Sequence, residues 1–223
     1  MPVRTARRNA YHELRDAIVT GRFQPNERLV ESSVAKLLGA GRTAVRAALV
    51  RLDQEGLVVL ERNRGARVRL IDGREALEIE EVRAALEGLL ARRAAARATP
   101  ADLAELDSLT AEMRHRVEHG DALGYSELNA RFHQRIWAAA DHPTAERLVG
   151  SLKSQGIRFQ FQTALRPGRA ERSLHEHEAI VEALRRGDQD RAEAAMQTHL
   201  AEVLDTLRWA IHAHSQTAGW SPA

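Results

Sequence analysis

The sequence predicts a mainly α-helical protein in two parts, of which only the N-terminal part contains β-strands. Apolar residues recur at helical spacing over most of the 223 residues. Strand-like patterns are confined to residues 57–70. Charge is also uneven, since residues 1–70 hold 14 Arg or Lys against 7 Asp or Glu and the remaining residues hold 19 against 24. A basic first third indicates a polyanionic partner for that part, or a solvated basic face without a partner.

Composition excludes several classes of protein. The absence of cysteine excludes disulfides, zinc ribbons and thiol nucleophiles. No apolar run approaches the roughly 18 residues of a membrane span. The charged N-terminus is not followed by the apolar segment of a secretory signal. We therefore expect a cytoplasmic protein that does not contact a membrane.

The N-terminal part opens with a predicted helix over residues 6–21. A short helix from Glu31 to Leu38 and another from Arg42 to Gln54 follow, separated by Gly39-Ala40-Gly41. The second of these has a buried stripe at i, i+3, i+4 and i+7, formed by Val45, Ala48, Leu49 and Leu52. Two short helices across a tight turn that contains glycine are typical of a helix-turn-helix.

The residues after this motif change to strand periodicity. Leu57 to Leu60 and Ala66 to Leu70 are predicted strands, and Asn63-Arg64-Gly65 is the turn between them. A helix, a helix-turn-helix and a small β-hairpin in this order predict a winged helix-turn-helix, with residues 1–71 as the first domain.

The rest of the chain predicts an all-α helical bundle over residues 75–215, between a linker at 72–74 and a tail at 216–223. Six helices of 15–27 residues are separated by short breaks that contain proline or glycine. Long helices with short connections favour a bundle, in which facing helices build ligand and metal sites.

The N-terminal residues of the second helix of a helix-turn-helix meet base edges in the major groove. Here they are Arg42, Thr43 and Arg46, and the two arginines project from one face at i, i+4. Arginine binds guanine through two parallel hydrogen bonds. Arg64 and Gly65 at the tip of the hairpin are predicted to approach the minor groove. The alternatives are solvated arginines on a surface helix, or a winged helix that binds protein.

Residues 10–70 resemble the DNA-binding domain of the GntR family of bacterial regulators. The stretches that carry the resemblance are Ser33–Leu49, Arg51-Leu52 and Glu55–Val58. The family usually has Ser or Thr where Gly41 stands, so one phosphate contact is expected to be lost. The resemblance implies a transcriptional regulator. As a homodimer with two-fold symmetry, it would bind a palindromic operator in double-stranded DNA.

Three histidines on three different predicted helices, His133, His177 and His199, are candidates for a metal site inside the bundle. Asn129 lies one helical turn before His133 and adds a side-chain oxygen. Imidazole ligands suit Zn, Ni, Cu or Fe. The spacing is also compatible with hydrogen-bonded histidines, or with a metal-dependent enzyme that uses the three histidines, although no motif places an acid or base.

Residues 75–215 resemble the all-helical FCD effector domain, which would make the chain a member of the FadR subfamily of GntR regulators. The stretches that carry this resemblance are Glu81–Glu87, Asn129–His133, Glu176–Leu184 with Gly187-Asp188, and Ala195–Leu200. It implies that Asn129, His133, His177 and His199 hold a divalent metal ion such as Zn or Ni. Many relatives have Asp at the first of these positions, so a neutral Asn is expected to weaken the site.

The same resemblance implies a small organic acid as effector, bound beside the metal. Arg83 matches a basic residue of that pocket and is predicted to bind the carboxylate. The alternative for Arg83 is an ion pair within its helix, with Glu80 or Glu87. Side chains of the fourth helix of the bundle, such as Arg158 and Phe159, are expected to line the cavity.

Together these patterns predict a repressor whose affinity for its operator is modulated by a bound metabolite. An enzyme built on the His cluster is the alternative, and a protein that coats DNA with an empty helical domain is the third.

Overall fold

The computed structural model describes residues 10–62, 64–164 and 166–217, and side chains in these ranges except those of 157–164 and 213–217. The chain divides into two units, Met1–Asp72 and Gly73–Ala223, and each is described by itself. Among the described helices, none combines the length and apolar character needed to cross a membrane.

The first unit contains three helices and a small antiparallel sheet with strand order β1-β3-β2. The elements in chain order are α1 (Ala10–Val19), β1 (Arg28–Leu29), α2 (Glu31–Leu38), α3 (Arg42–Gln54), β2 (Val58–Glu61) and β3 (Gly65–Val68). The predicted helix-turn-helix is confirmed with the same bounds for both of its helices. Gly39 ends α2 in the left-handed region at φ 59°, where its amide binds carbonyls of the last turn.

The sheet differs from the predicted hairpin in two respects. A third strand, β1, pairs with β3, with Leu29 opposite Ala66. Two residues are too short for a period-2 pattern, so the sequence did not indicate this strand. The hairpin strands are also shifted, because β2 begins at Val58 rather than Leu57 and β3 ends at Val68 rather than Leu70.

The core of the first unit is formed by the inner faces of its three helices and the sheet. Its most deeply buried side chains, at most 1% exposed, include Leu14, Leu29, Val45, Leu49, Leu52 and Val58. The stripe predicted for α3 is therefore the face that packs into this core, and the opposite face of α3 is left to solvent.

The second unit is the predicted bundle of long helices. They are α4 (Gly73–Arg97), α5 (Pro100–Glu118), α6 (Ala122–Ala139), α7 (Pro143–Ala164), α8 (Arg169–Arg185) and α9 (Gln189–Thr217). Thr99 and Asp102 form a reciprocal capping box that starts α5, as the Thr-Pro pair predicted. At 29 residues α9 is longer than expected, since it continues to Thr217.

The core of the bundle contains side chains from all six of its helices, α4 to α9. Fully buried members include Leu90, Leu106, Met113, Phe132, Ile136, Ile180 and Met196. Helices α4 and α9 pack closely, since a Cβ added at Gly88 would lie 3.2 Å from the side chain of Gln197. This packing brings polar faces of α4, α6, α8 and α9 together inside the bundle.

Candidate functional site

The first candidate site is the exposed face at the start of α3. Arg42, Thr43 and Arg46 are all exposed there, while Val45 between them is fully buried. Gly41 precedes the helix without a side-chain cap, so the first-turn amides of α3 are available to an anion. The structure thus brings the three predicted residues together on one surface.

The side chain of Arg46 is paired with a carboxylate of the first unit. Its Nε and Nη2 donate to the two carboxylate oxygens of Glu31 on α2, at 2.9 and 2.8 Å. This hydrogen bond, with the charge of Arg46, lowers the pKa of Glu31. The planar fork that would recognise guanine is therefore already held by a carboxylate. Sequence analysis missed Glu31, because the partners are 15 residues apart on different helices.

The wing, which is the hairpin of β2 and β3, meets this face across a groove of ≈ 560 Å³. Five arginines and two glutamates line it, namely Arg28, Arg42, Arg46, Arg62, Arg64, Glu31 and Glu61. This leaves a net positive charge of three in a concave surface. Such a surface fits a polyanion, and its walls come from α3, the second helix of the helix-turn-helix, and from the wing.

The two wing residues that the sequence singled out both border this groove. The carbonyl of Arg64 accepts a hydrogen bond from Nε of Arg28 at 3.2 Å. Gly65 has φ +89°, and a Cβ there would collide with the carbonyl oxygen of Leu29. Glycine is thus required where β1, β2 and β3 meet. Asn63, part of the predicted wing tip, lies outside the described residues.

The second candidate site is a cluster of three buried histidines in the bundle. His133 on α6, His177 on α8 and His199 on α9 are 2%, 0% and 2% exposed. Each offers a ring nitrogen within 4.8 Å of the others, and their ring centroids are 4.6 to 5.6 Å apart. Asn129 lies one turn before His133, and its buried Oδ1 has no hydrogen-bond partner among the described residues.

Two of the histidines are oriented by carboxylates. Nδ1 of His133 donates to Glu87 at 2.6 Å, and Nδ1 of His199 donates to Glu176 at 2.7 Å. Because a carboxylate only accepts, Nδ1 of each imidazole carries a proton, and in the neutral ring Nε2 keeps its lone pair. Arg169 in turn binds both oxygens of Glu176, at 3.1 and 2.9 Å. Carboxylates that orient imidazoles in this way are typical of metal sites.

His177 is the member without such a partner. Neither of its ring nitrogens has a hydrogen-bond partner in the described part of the chain, and its ring lies 4.5 Å from that of Phe132. Burial lowers the pKa of His133 to about 4, and it lowers the pKa of His177 well below its usual range. Neutral imidazoles with free nitrogens and an unpartnered amide oxygen fit a divalent metal ion.

Arg83 forms ion pairs with both Glu80 and Glu87 on its own helix, which was the alternative to effector binding predicted for it. Its Nη1 donates to Glu80 at 2.7 Å and its Nη2 to Glu87 at 2.6 Å, and the three side chains are at most 4% exposed. The other oxygen of Glu87 accepts from His133 and from Nε1 of Trp137. Arg83 is therefore connected to the histidine cluster through Glu87.

Lys153 on α7 is the second cation of this region. Burial, together with the nearby charge of Arg83, lowers its pKa to about 8. Its ammonium lies 5.2 Å from the centre of the Trp137 ring. Lys153 and Arg83 offset Glu80 and Glu87, and Arg169 offsets Glu176, so the surroundings of the histidines are close to neutral.

Several of these residues were not assigned a role from the sequence. Glu176 stands inside a motif that carries the resemblance, and this was the only signal for it. Glu87 was expected only as an ion-pair partner of Arg83, and not as the partner of His133. Arg169 and Lys153 gave no signal, because their contacts are tertiary. His175 is 79% exposed and pairs with Glu178 at 3.2 Å. The side chains of Arg158 and Phe159, which were expected to line the cavity, lie outside the described ones.

Comparison with known proteins covers both units. Residues 6–68 match the model of the bacterial regulatory proteins of the gntR family, and residues 78–202 match the FCD domain. The HTH-type transcriptional repressor RspR of Escherichia coli is 28% identical over 93% of this chain and 91% of its own. A regulator from an unstable DNA locus of Streptomyces ambofaciens is 31% identical over 95% and 89%.

Two further comparisons are with a second repressor and with a solved structure. The galactonate operon transcriptional repressor of Escherichia coli is 27% identical over 86% of this chain and 92% of its own. The solved structure of Escherichia coli McbR/YncC covers 96% of this chain and 100% of its own, with a TM-score of 0.75 at 22% identity. At that identity the structural likeness establishes the fold alone.

Proposed function

Because the chain belongs to the GntR family of bacterial regulatory proteins and carries an FCD domain, we propose that it is a metabolite-responsive transcriptional repressor. Regulators of this family bind DNA through the N-terminal unit and are not enzymes. A small organic acid, bound in the helical unit, changes the affinity of the N-terminal unit for its operator.

The observation that carries the effector half of this proposal is the set of unpartnered buried atoms at the histidine cluster. The Oδ1 of Asn129 and both ring nitrogens of His177 are buried without a hydrogen-bond partner among the described residues. Each imidazole offers a ring nitrogen within 4.8 Å of the others, and two carboxylates orient the rings of His133 and His199. Unsatisfied polar atoms are costly inside a protein, so a group that satisfies Asn129 and His177 is expected there.

Asn129, His133, His177 and His199 would hold a divalent metal ion such as Zn²⁺ or Ni²⁺. When bound, the ion supplies a Lewis-acid centre for a carboxylate oxygen. All four ligands are neutral, and the surrounding ion pairs offset one another. The ion's two positive charges are thus left for an anionic effector to balance, which supports an organic acid as ligand.

Arg83 contributes to this pocket in two ways. It holds Glu87, and Glu87 holds His133. The guanidinium of Arg83 carries more N–H groups than its four contacts to Glu80 and Glu87 use, so at least one remains for an effector carboxylate. Its role toward the effector is therefore secondary to its role in positioning His133.

The DNA half of the proposal assigns recognition to Arg42, Thr43, Arg46, Arg64 and Gly65, which border the basic groove or lie beside it. We further propose a cytoplasmic homodimer of the FadR subfamily on a palindromic operator, because a helix-turn-helix reads matched half-sites with two-fold symmetry. The name of the galactonate operon repressor makes sugar acids the first effectors to test.

The test begins with selection of bound fragments from a genomic DNA pool, with Arg46→Ala in parallel. A short palindrome that the variant loses identifies the operator. Operator affinity is then measured with galactonate and related sugar acids, in metal-loaded protein and in His177→Ala. A response lost in His177→Ala, with operator binding retained, supports the proposal. An operator whose affinity no organic acid changes contradicts its effector half.

A further inference from the structure

We propose that His115, Glu118 and His119 form a second metal site, on the surface, for a late first-row divalent cation such as Ni²⁺, Cu²⁺ or Zn²⁺. These residues lie at the C-terminal end of α5, and His119 is the residue that caps it. The inference goes beyond the proposed function, since the site lies outside the buried cluster and shares no residue with it.

The geometry brings three donors to one side of the helix. His115 and His119 are at i, i+4, and Glu118 is at i+3 from His115, so all three project from neighbouring positions. One ligand atom from each lies within 4.8 Å of the others. The two imidazole rings are already close, with centroids 4.1 Å apart. A cation therefore requires only side-chain adjustment, with no change of backbone.

The tautomer of His119 is also set for metal binding. Its Nδ1 lies 2.8 Å from the backbone carbonyl oxygen of His115. A carbonyl can only accept a hydrogen bond, so Nδ1 carries a proton, and in the neutral ring Nε2 is left with its lone pair. A hydrogen bond from the second ring nitrogen to a backbone carbonyl is the arrangement that orients metal-bound histidines. The hydrogen bond to the backbone therefore orients the imidazole of His119 before a cation binds.

Local electrostatics favour a cation at this position. The C-terminal end of a helix carries partial negative charge, and Glu118 adds a full one. The neighbouring cations are each engaged elsewhere, since Arg114 binds Glu178 at 2.5 Å and Arg116 binds Asp121 at 2.8 Å. All three proposed ligands are exposed, so an ion bound there keeps water molecules in its remaining positions.

The donor set decides the class of ion. Two imidazoles with one carboxylate suit Zn²⁺, Ni²⁺ and Cu²⁺ rather than Ca²⁺ or Mg²⁺, which prefer oxygen ligands. The buried cluster, by contrast, offers three imidazoles and a neutral amide. The chain therefore presents two metal sites of different charge and accessibility, and any metal titration of the protein has to separate them.

The test is calorimetric titration of the chelator-treated full chain with Ni²⁺, for the native protein, His119→Ala, His133→Ala and His175→Ala. His175 on α8 is also an exposed histidine and serves as the matched control. We expect His119→Ala to weaken one class of site by at least about tenfold, the lower end of what loss of a supporting group costs. His175→Ala should bind Ni²⁺ as the native protein does. His133→Ala should lose the buried class of sites and keep the surface class.

A second measurement covers the case in which His133→Ala does not fold. Substoichiometric Cu²⁺ should broaden the imidazole proton signals of His115 and His119 in the native protein before those of His175. Unchanged Ni²⁺ binding in His119→Ala, or equal broadening of all exposed histidines, would overturn the surface site. Failure of the buried site alone would leave one class of binding that His119→Ala removes, so the two proposals fail separately.

Discussion

Each of the two units contains an arginine that the sequence marked as a binding residue, and both arginines pair with glutamate. Arg46 and Glu31 have side chains that are 68% and 19% exposed. Arg83 and Glu87 are 4% and 0% exposed. Water screens the first pair, so it contributes little to stability and can be exchanged for another anion. The second pair has no such alternative, because separating it leaves a charge in the interior.

This difference changes how each arginine can serve function. Arg46 can leave Glu31 for guanine, since one bidentate partner replaces another in an exposed groove. Arg83 can serve the effector only from its place between Glu80 and Glu87. In the proposed function, Arg46 is therefore an exposed side chain that exchanges Glu31 for DNA, whereas Arg83 is a buried support that orients His133 through Glu87.

The largest expected effect is on stability, in Arg83→Met. Removing the guanidinium leaves Glu80 and Glu87 buried without a cation between them, which generally costs about 3–5 kcal/mol of unfolding free energy. Urea denaturation measures it. Arg74→Met is the matched control, because Arg74 pairs with Glu78 at i, i+4 on the same helix but is 88% exposed, and it should change stability by less than about 1 kcal/mol. Equal effects in the two variants would show that burial does not distinguish the pairs.

The second effect is on DNA binding, in Arg46→Ala. Loss of a bidentate contact to guanine is expected to weaken operator binding roughly tenfold to a hundredfold, while the urea midpoint stays near that of the native protein. Arg186→Ala is the control, because Arg186 is 58% exposed, pairs with Glu182 on α8 and belongs to the helical unit. Operator affinity that falls equally in both variants would mean that overall charge, and not base contact, decides binding.

The third effect concerns pH and tests whether the buried pair of Arg83 and Glu87 lies in a low-dielectric environment. The pKa of Lys153 is lowered to about 8 by burial and by the charge of Arg83. Between pH 8 and its ordinary value the unfolded chain binds the proton that the folded chain has lost, so stability rises with pH across that window. Urea midpoints of the native protein and Lys153→Met, compared from pH 7 to pH 10, should therefore converge or cross as pH rises. A constant difference between them would place the ammonium in water.

The parts of this molecule that sequence reasoning reached are those with a local signal. Both helices of the helix-turn-helix have the predicted bounds, because Gly39 and Gly41 separate them and the stripe of α3 has a clear period. The breaks between the long helices also follow local signals, as in the Thr-Pro pair before α5. Strand β1 had none, since two residues cannot show a period, and it is held by pairing with β3.

The candidate sites show the same limit in their tertiary contacts. The meeting of His133, His177 and His199 was expected from three helices and a family resemblance. The carboxylates that orient them were not, because Glu87 is 46 residues from His133. The pairing of Glu31 with Arg46 was missed for the same reason. The i, i+3 and i, i+4 partners of Arg83 could be proposed in advance, since they lie on one helix.

The smallest expected effect, and the most direct test of an exchangeable pair, is in Glu31→Gln. The carboxylate of Glu31 competes with DNA for the guanidinium of Arg46. Guanine in the operator offers two acceptors that replace both carboxylate oxygens, whereas a phosphate of non-operator DNA replaces them less well. Removing the charge should raise affinity for non-operator DNA by roughly two- to fivefold, the scale of an exposed ion pair, and raise operator affinity less. Fluorescence anisotropy with operator and scrambled duplexes at several salt concentrations measures both, and Glu61→Gln, which pairs with Arg67 in the wing, controls for charge in the groove. If operator affinity rises as much as affinity for scrambled DNA, Glu31 is only a repulsive charge, and the exchange that distinguishes Arg46 from Arg83 does not contribute to specificity.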